Sequence, residues 1–273
     1  MLEHRILRLS VSQEILPLTS LVGAEFVKAW LEAVKRMSNT FFRLSYLQTL
    51  QLWAVHAFLW SRDIEYGDPN LSNVMYDQDL KCGLLVDYDL SISRQQSGTD
   101  AGSIPFMAID LLNDEYWNGE ILRLYRHEFE AFLWILPFVF LRYQNRKPQR
   151  RTPVDGWMTS NYITCAEKKS DFWRINQLNK NGKMCQLDFR DHWMLARGLL
   201  PWWNLLSYDE FSQPMGDETY IDVGNSMPPL WPLFVARLRF VAKKFSSGLG
   251  YMDALIDDLE LEKPFWVCHV PNP

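Results

Sequence analysis

The sequence predicts a mostly α-helical fold with one or two short β-hairpins. Long stretches place apolar residues at helical spacing, most clearly residues 24–37, where Phe26, Trp30, Leu31, Val34 and Met37 share one face. Strand-like runs are short, and the best pair, Val74-Met75-Tyr76 and Gly83-Leu84-Leu85-Val86, brackets the polar turn Asp77-Gln78-Asp79-Leu80-Lys81. Apolar residues make up 48% of 273, enough to bury a large core, and 12 Trp and 16 Phe make that core aromatic.

Taken in order, residues 5–11 alternate charged and apolar side chains, the pattern of a half-buried strand. Pro17 and Gly23 bound a turn before the helix over 24–37. A second helix over 44–60 is apolar all round, as a buried helix is, and runs into Arg62-Asp63-Ile64. Residues 91–103 are polar and without period, and read as a mobile loop. The most apolar run, 129–141, contains Glu130 and Pro137 and is too short to span a bilayer. A buried helix carrying Phe129, Phe132, Leu133 and Leu136 is the expectation there. Five basic residues lie between 142 and 151 around Pro148 and read as a solvated loop, with a docking patch for an acidic partner as the sharper reading. Helical stretches follow over 162–172, 192–199 and 230–245, a Pro-, Gly- and acid-rich surface excursion over 207–229, and a short helix over 251–260.

Composition narrows the function classes. The net charge is −5 and no basic, aromatic-rich stripe is present, which argues against a nucleic-acid partner. The N-terminus lacks the apolar region of a signal peptide, so the expected location is intracellular, cytoplasmic or nuclear, with no membrane partner. Cys82, Cys165, Cys185 and Cys268 are scattered and read as reduced thiols rather than a disulfide frame or zinc site. Asn70-Leu71-Ser72 fits a glycosylation sequon that an intracellular chain leaves unused.

The chemistry concentrates between residues 65 and 89. Asp68 and Asn73 are five apart on one loop, and Asp87 follows 14 residues after Asn73, at the end of the second strand of the hairpin. That order suits phosphoryl transfer, which needs positioning and charge neutralisation more than covalent help: a carboxylate facing the incoming hydroxyl, then an amide oxygen and a second carboxylate holding Mg²⁺ against the phosphates. Each residue taken singly is as well explained as a turn residue; the ordered set with the hairpin between is the signal.

These residues resemble the fungal-type protein kinases, especially the basidiomycete branch. That branch reads His-Gly-Asp-Pro-Ser-Leu-Ser-Asn where this chain has Tyr66-Gly67-Asp68-Pro69-Asn70-Leu71-Ser72-Asn73. Asp87-Tyr88-Asp89-Leu90 is similar to its metal motif, and Gly102-Ser103-Ile104-Pro105-Phe106-Met107-Ala108 to its Gly-Thr-x-Pro-Phe-Met-Ala segment. Tyr125-Arg126-His127-Glu128-Phe129-Glu130-Ala131-Phe132, Trp157-Met158-Thr159 and Glu167-Lys168-Lys169 add to a likeness covering roughly residues 5–175.

The resemblance implies a protein-kinase-like large lobe spanning 1–273: a hinge-like strand and turn over 1–23, a catalytic core over 24–141, a basic loop over 142–161 and a helical remainder over 162–273. It implies ATP and Mg²⁺ as cofactors, with Asp68 as the base that accepts the substrate hydroxyl proton and Asn73 and Asp87 as the metal ligands that position the nucleotide. Asp110 stands where the activation segment closes, Glu128 where a helix carboxylate holds the catalytic-loop backbone, and Asp89 at a further contact or a plain turn. His127 reads as a capping or packing residue.

Three departures accompany the likeness. No Gly-rich phosphate loop or strand lysine precedes the hinge-like strand, so the small lobe is missing from this sequence and little turnover is expected from the chain alone. Tyr66 replaces the histidine that packs under the metal motif. Asp100-Ala101-Gly102-Ser103 replaces Arg-Thr-Gly-Thr, which loosens the activation segment. Three functions follow as expectations: ATP-dependent phosphorylation of protein Ser or Thr; a non-catalytic kinase-like (pseudokinase) binding module; and a small-molecule kinase of the aminoglycoside or choline type, against which the 102–112 segment argues. The sequence names no protein substrate, regulator or oligomeric state.

Overall fold

Helix α1, Gly23–Ser38, forms the base on which the site is built. Phe26, Val27, Trp30, Leu31 and Val34 on its inner face are buried, while Ala24, Glu25 and Lys28 face solvent. The computed structural model describes residues 15–38, 64–87, 92–93, 103–212 and 227–261. The expected strand over 5–11 and helix over 44–60 lie outside them, as do Asp89 and Gly102.

A three-stranded antiparallel sheet lies on α1, in the order β1 (Ile15–Pro17), β3 (Val74–Asp77), β4 (Cys82–Leu85). Pro17, which bounds the turn expected before α1, ends an edge strand paired with Met75, and the single turn Leu18–Ser20 follows it. The β3–β4 hairpin forms where the alternating runs predict it, with Val74 opposite Leu85 and Asp77 opposite Cys82. Its turn closes through Asp77, whose Oδ1 accepts from the backbone N–H groups of Asp79 and Leu80, each at 2.9 Å. Gly83 is obligatory here for space: a Cβ at this position would sit 1.8 Å from the Ala29 carbonyl oxygen of α1. Its N–H donates to Glu32 Oε2 at 3.0 Å, so the hairpin is both pressed against α1 and bonded to it.

Two further strands of two residues each, β2 (Ile64–Glu65) and β5 (Ile92–Ser93), pair antiparallel. This corrects the reading of 91–103 as loop throughout. Two residues are too few to show a period, so the pairing is invisible in composition.

Beyond a one-turn helix α2 (Asp114–Trp117), helix α3 (Tyr125–Arg142) is the centre of the molecule. Tyr125 through Leu141 are all buried, Pro137 among them, so the run that is apolar all round has neighbours on every side. Trp30 Nε1 of α1 donates to the Phe132 carbonyl at 3.0 Å. Trp134 stacks on Trp173 at 5.2 Å and meets Trp157 edge-on at 5.2 Å, while Phe129 packs on Trp203 at 5.1 Å. Each large apolar side chain fully buried is worth about 1.5–3 kcal/mol.

The basic stretch after α3 is more ordered than a loop. It folds into a hairpin of β6 (Tyr143–Gln144) and β7 (Lys147–Pro148) across Asn145 and Arg146, both left-handed at φ 50° and 64°, the tight turn that suits right-twisted strands. Asp188 pins it, accepting from Gln144 Nε2 at 2.8 Å and from the Asn145 N–H. Helices α4 (Tyr162–Phe172), α5 (Ile175–Gly182), α6 (Trp193–Ser212), α7 (Met227–Lys244), α8 (Ser246–Leu249) and α9 (Met252–Leu261) complete the described structure. Asn161 caps α4, accepting from the Thr164 N–H at 2.8 Å. The excursion expected over 207–229 is helical at both ends, in α6 to Ser212 and in α7 from Met227. No described helix is long and apolar enough to cross a membrane. Cys82, Cys165 and Cys185 are buried and unbridged; Cys268 lies outside the described residues.

Candidate active site

The loop from Tyr66 to Asn73 is held from inside by its own amides and from outside by the helix behind it. Asn70, buried, is the internal clasp. Its Oδ1 accepts from the Ser72 N–H at 2.7 Å and from the Asn73 N–H at 3.3 Å, and its Nδ2 donates to Asp68 Oδ2 at 2.6 Å. The Asn-x-Ser written at Asn70 thus forms a turn that closes the loop. Asn73, 6% exposed, donates through Nδ2 to the Asp68 carbonyl at 3.0 Å, which leaves Oδ1 as its acceptor atom on the other side of the amide.

The anchors outside the loop come from α3 and the segment before it. Glu128 Oε1 accepts from the Gly67 N–H at 2.9 Å. Arg123, buried, donates through Nη1 to the Gly67 carbonyl and through Nη2 to the Tyr116 hydroxyl at 3.0 Å. Gly67, at φ 89°, is thus gripped by a carboxylate on its N–H and a guanidinium on its carbonyl.

The hairpin delivers Asp87. The Val86 N–H donates to the Asn73 carbonyl at 2.9 Å, carrying the pairing one step past β4. The Tyr66 hydroxyl, on a fully buried ring, donates to the Val86 carbonyl. Asp87 follows at φ 63°, a left-handed conformation that Asp adopts at small cost, and its exposed carboxylate bonds to none of the described residues. Tyr66 therefore bonds to backbone at the motif beneath which it packs. Tyr66→Phe removes that bond, and the expected loss is about 1 kcal/mol in denaturant unfolding, with faster hydrogen exchange at the Val86 amide.

The segment from Ser103 to Leu111 lies against the loop. The Ser103 N–H donates to Asp68 Oδ1 at 2.6 Å. Phe106 and Met107 N–H groups turn back to the Ser103 carbonyl at 2.8 and 3.3 Å around Pro105, and Phe106 packs on Phe138 at 4.9 Å. Ala108 is fully buried and opens the single turn Ile109–Leu111. Two buried charges hold this segment to the core. Glu130 Oε1 accepts from the Ile109 N–H and from Trp134 Nε1, each at 2.9 Å, and its Oε2 from Trp203 Nε1 at 3.0 Å. Lys169 Nζ donates to the Met107 carbonyl and lies 4.6 Å from the centre of the Trp134 ring. Burial pushes Lys169 down to about 8, opposed by its interactions with Cys165 and Glu130.

Asp110 is in an ion pair with Arg126 Nη1 at 2.7 Å and lies 3.8 Å from His127 Nε2. Burial raises its carboxyl, but the His127 contact and the Arg126 charge outweigh that and bring it to about 2. His127 caps α3, its Nδ1 accepting from the Leu124 N–H at 3.0 Å, which puts the ring proton on Nε2. Burial lowers His127 to about 4 against the pull of Asp110. This fixes the sign of a pH dependence. The unfolded imidazole, near 6.5, takes up its proton before the folded one. The contribution is therefore complete above pH 6.5 and is lost between 6.5 and 4, by about 3 kcal/mol at about 1.4 kcal/mol per unit. Urea unfolding of the natural chain and of His127→Asn across that range should differ by a slope that the variant lacks.

Sequence reasoning missed Asn70, Arg123, Glu130 and Lys169 as parts of this site. Asn70 carried a signal, an Asx turn written as Asn-x-Ser; Arg123 carried none. Among the described residues no three or more His, Cys, Asp and Glu side chains gather for a metal. The candidate donors for a hard cation are the Asn73 Oδ1 and the Asp87 carboxylate. Both are oxygens, the donor type a hard cation takes, and neither is bonded by another described group.

A family model described as fungal protein kinase matches residues 54–140, the stretch that holds the loop, the hairpin, the segment from Ser103 to Leu111 and most of α3. Over this stretch the chain is similar to part of the fungal protein kinase domain. No curated protein and no solved structure matches the chain.

Proposed function

We propose that the helical body is the large lobe of a protein kinase and that its site transfers the ATP γ-phosphate to a protein serine or threonine. The observation that carries this reading is the place of Asn73 between the loop and the hairpin: its amide donates to the Asp68 carbonyl and its backbone carbonyl accepts from Val86, the residue before Asp87. In this reading Asp68 accepts the proton of the attacking hydroxyl. Asn73 and Asp87 hold Mg²⁺, which neutralises phosphate charge when bound. Ser103, bonded to Asp68, places the platform on which a peptide lies.

A second reading has its own observation. Both carboxylate oxygens of Asp68 already accept bonds, from Asn70 and from Ser103. A loop locked that way also suits a non-catalytic module that keeps the kinase shape and binds partners. Phosphate transfer from ATP to a generic protein substrate decides between them. The expected result is slow transfer that Asp68→Asn reduces by about 10²-fold or more. Absence of both transfer and micromolar Mg²⁺–ATP binding supports the module; transfer to an aminoglycoside or choline in place of protein contradicts both.

A further inference from the structure

A basic cleft of about 350 Å³ lies where residues 151–153 meet α4 and α5, and it shares no lining residue with the candidate active site. Arg151, Lys168 and Lys180 line it, with Asp171 as the one carboxylate among its lining residues. In a chain of net charge −5, three cations around one concavity with one opposing acid is a local reversal of sign. Asp171 does little to neutralise it, since its Oδ1 lies 3.4 Å from Arg174 Nη1.

Two features give the cleft a prepared interior. Asn181 is 4% exposed and lines it, yet its side-chain amide bonds to none of the described residues. The amide keeps access to solvent, which leaves its N–H₂ open to a ligand entering the cleft. The Lys168 stem lies over Gly156, where a Cβ would be 3.5 Å from Lys168 Cγ, and its exposed end is free to reach into the cleft. The one aromatic ring in the lining, Phe172, is buried, so no face is offered on which a nucleobase would stack. Of the basic run over 142–151, only Arg151 lines the cleft, at φ 60°.

We propose that this cleft binds the phosphate group of a phosphorylated serine or threonine in a partner protein. A phosphomonoester carries about −1.5 to −2 charges near neutral pH and three acceptor oxygens. That matches three cations set against one paired acid, with the Asn181 N–H₂ as an uncharged donor. The cleft is separate from the Asp68 loop, so this inference stands or falls independently of the catalytic reading.

Calorimetry on the full chain at low ionic strength tests it, using a short alanine-rich phosphoserine peptide, its unphosphorylated form and inorganic phosphate. The phosphopeptide is expected to bind at least tenfold tighter than the unphosphorylated form, with inorganic phosphate competing. Lys168→Ala combined with Lys180→Ala should remove the binding; both side chains are exposed, so the thermal midpoint should hold. Asn181→Leu should weaken binding at least fivefold while leaving the surface charge intact, and Asp68→Asn should change nothing. Equal affinity for the two peptides, binding of inorganic phosphate alone, or binding that survives the double substitution overturns the proposal.

Discussion

Gly83→Ala should lower stability by about 3 kcal/mol, the upper part of the range for a methyl forced into a filled space. The added Cβ would sit 1.8 Å from the Ala29 carbonyl oxygen and 2.7 Å from its carbon. These are helix backbone atoms, which cannot rotate aside as a side chain would. The hairpin must therefore lift off α1, breaking the bond from the Gly83 N–H to Glu32. Lifting it moves Val86, and with it the link to Asn73 on which the position of Asp87 depends. The thermal midpoint should fall by roughly 6–12 °C, at about 2–4 °C per kcal/mol for a chain of this size. A variant within 1 kcal/mol of the natural chain would show that the hairpin is not seated on α1 in this way.

Glu130→Ala should cost about 4 kcal/mol, the scale on which a buried ionic group leaves its partners unsatisfied. Three donors lose their acceptor at once: the Ile109 N–H, Trp134 Nε1 and Trp203 Nε1. The two indole bonds are buried, as is Glu130 itself, and a cavity replaces the side chain. Lys169 would also lose the nearby negative charge that opposes its desolvation. Glu130→Gln separates these effects. Its oxygen can still serve Ile109 and Trp134, but its N–H₂ faces the indole N–H of Trp203, so about half the loss is expected. Hydrogen exchange at the Ile109 amide should rise sharply in Glu130→Ala, since that bond ties the platform to the core. Equal losses in the two variants would contradict the three-donor account.

Much of this architecture was legible where one physical signal dominates. Helix α1 declares itself by a clean apolar face, and α3 by a run too apolar to lie anywhere but the centre. The hairpin was readable because alternation on both sides frames a turn closed by Asp77. The order of Asp68, Asn73 and Asp87 pointed to one site because three turn-prone residues stood at spacings that ordinary turns do not require together. What stayed hidden depends on contacts distant along the chain. Glu130 in an apolar run argues only against a membrane span; that it holds Ile109 and two tryptophans needs α6 in place. Arg123 reaches back 56 residues to Gly67, and no local pattern foretells that. Helix α5 is rich in Asn, Gln and Lys, so propensity alone does not mark it.

The account rests on Asn73 and Asp87 sharing one divalent cation with a nucleotide. Titrating ATP into the full chain by calorimetry, with Mg²⁺ and then with EDTA, for the natural chain, Asn73→Leu and Asp87→Asn, tests this directly. The predicted result is Mg²⁺-dependent binding that each substitution weakens at least tenfold. Absence of binding in the natural chain, or binding that ignores both the metal and the two substitutions, would contradict it.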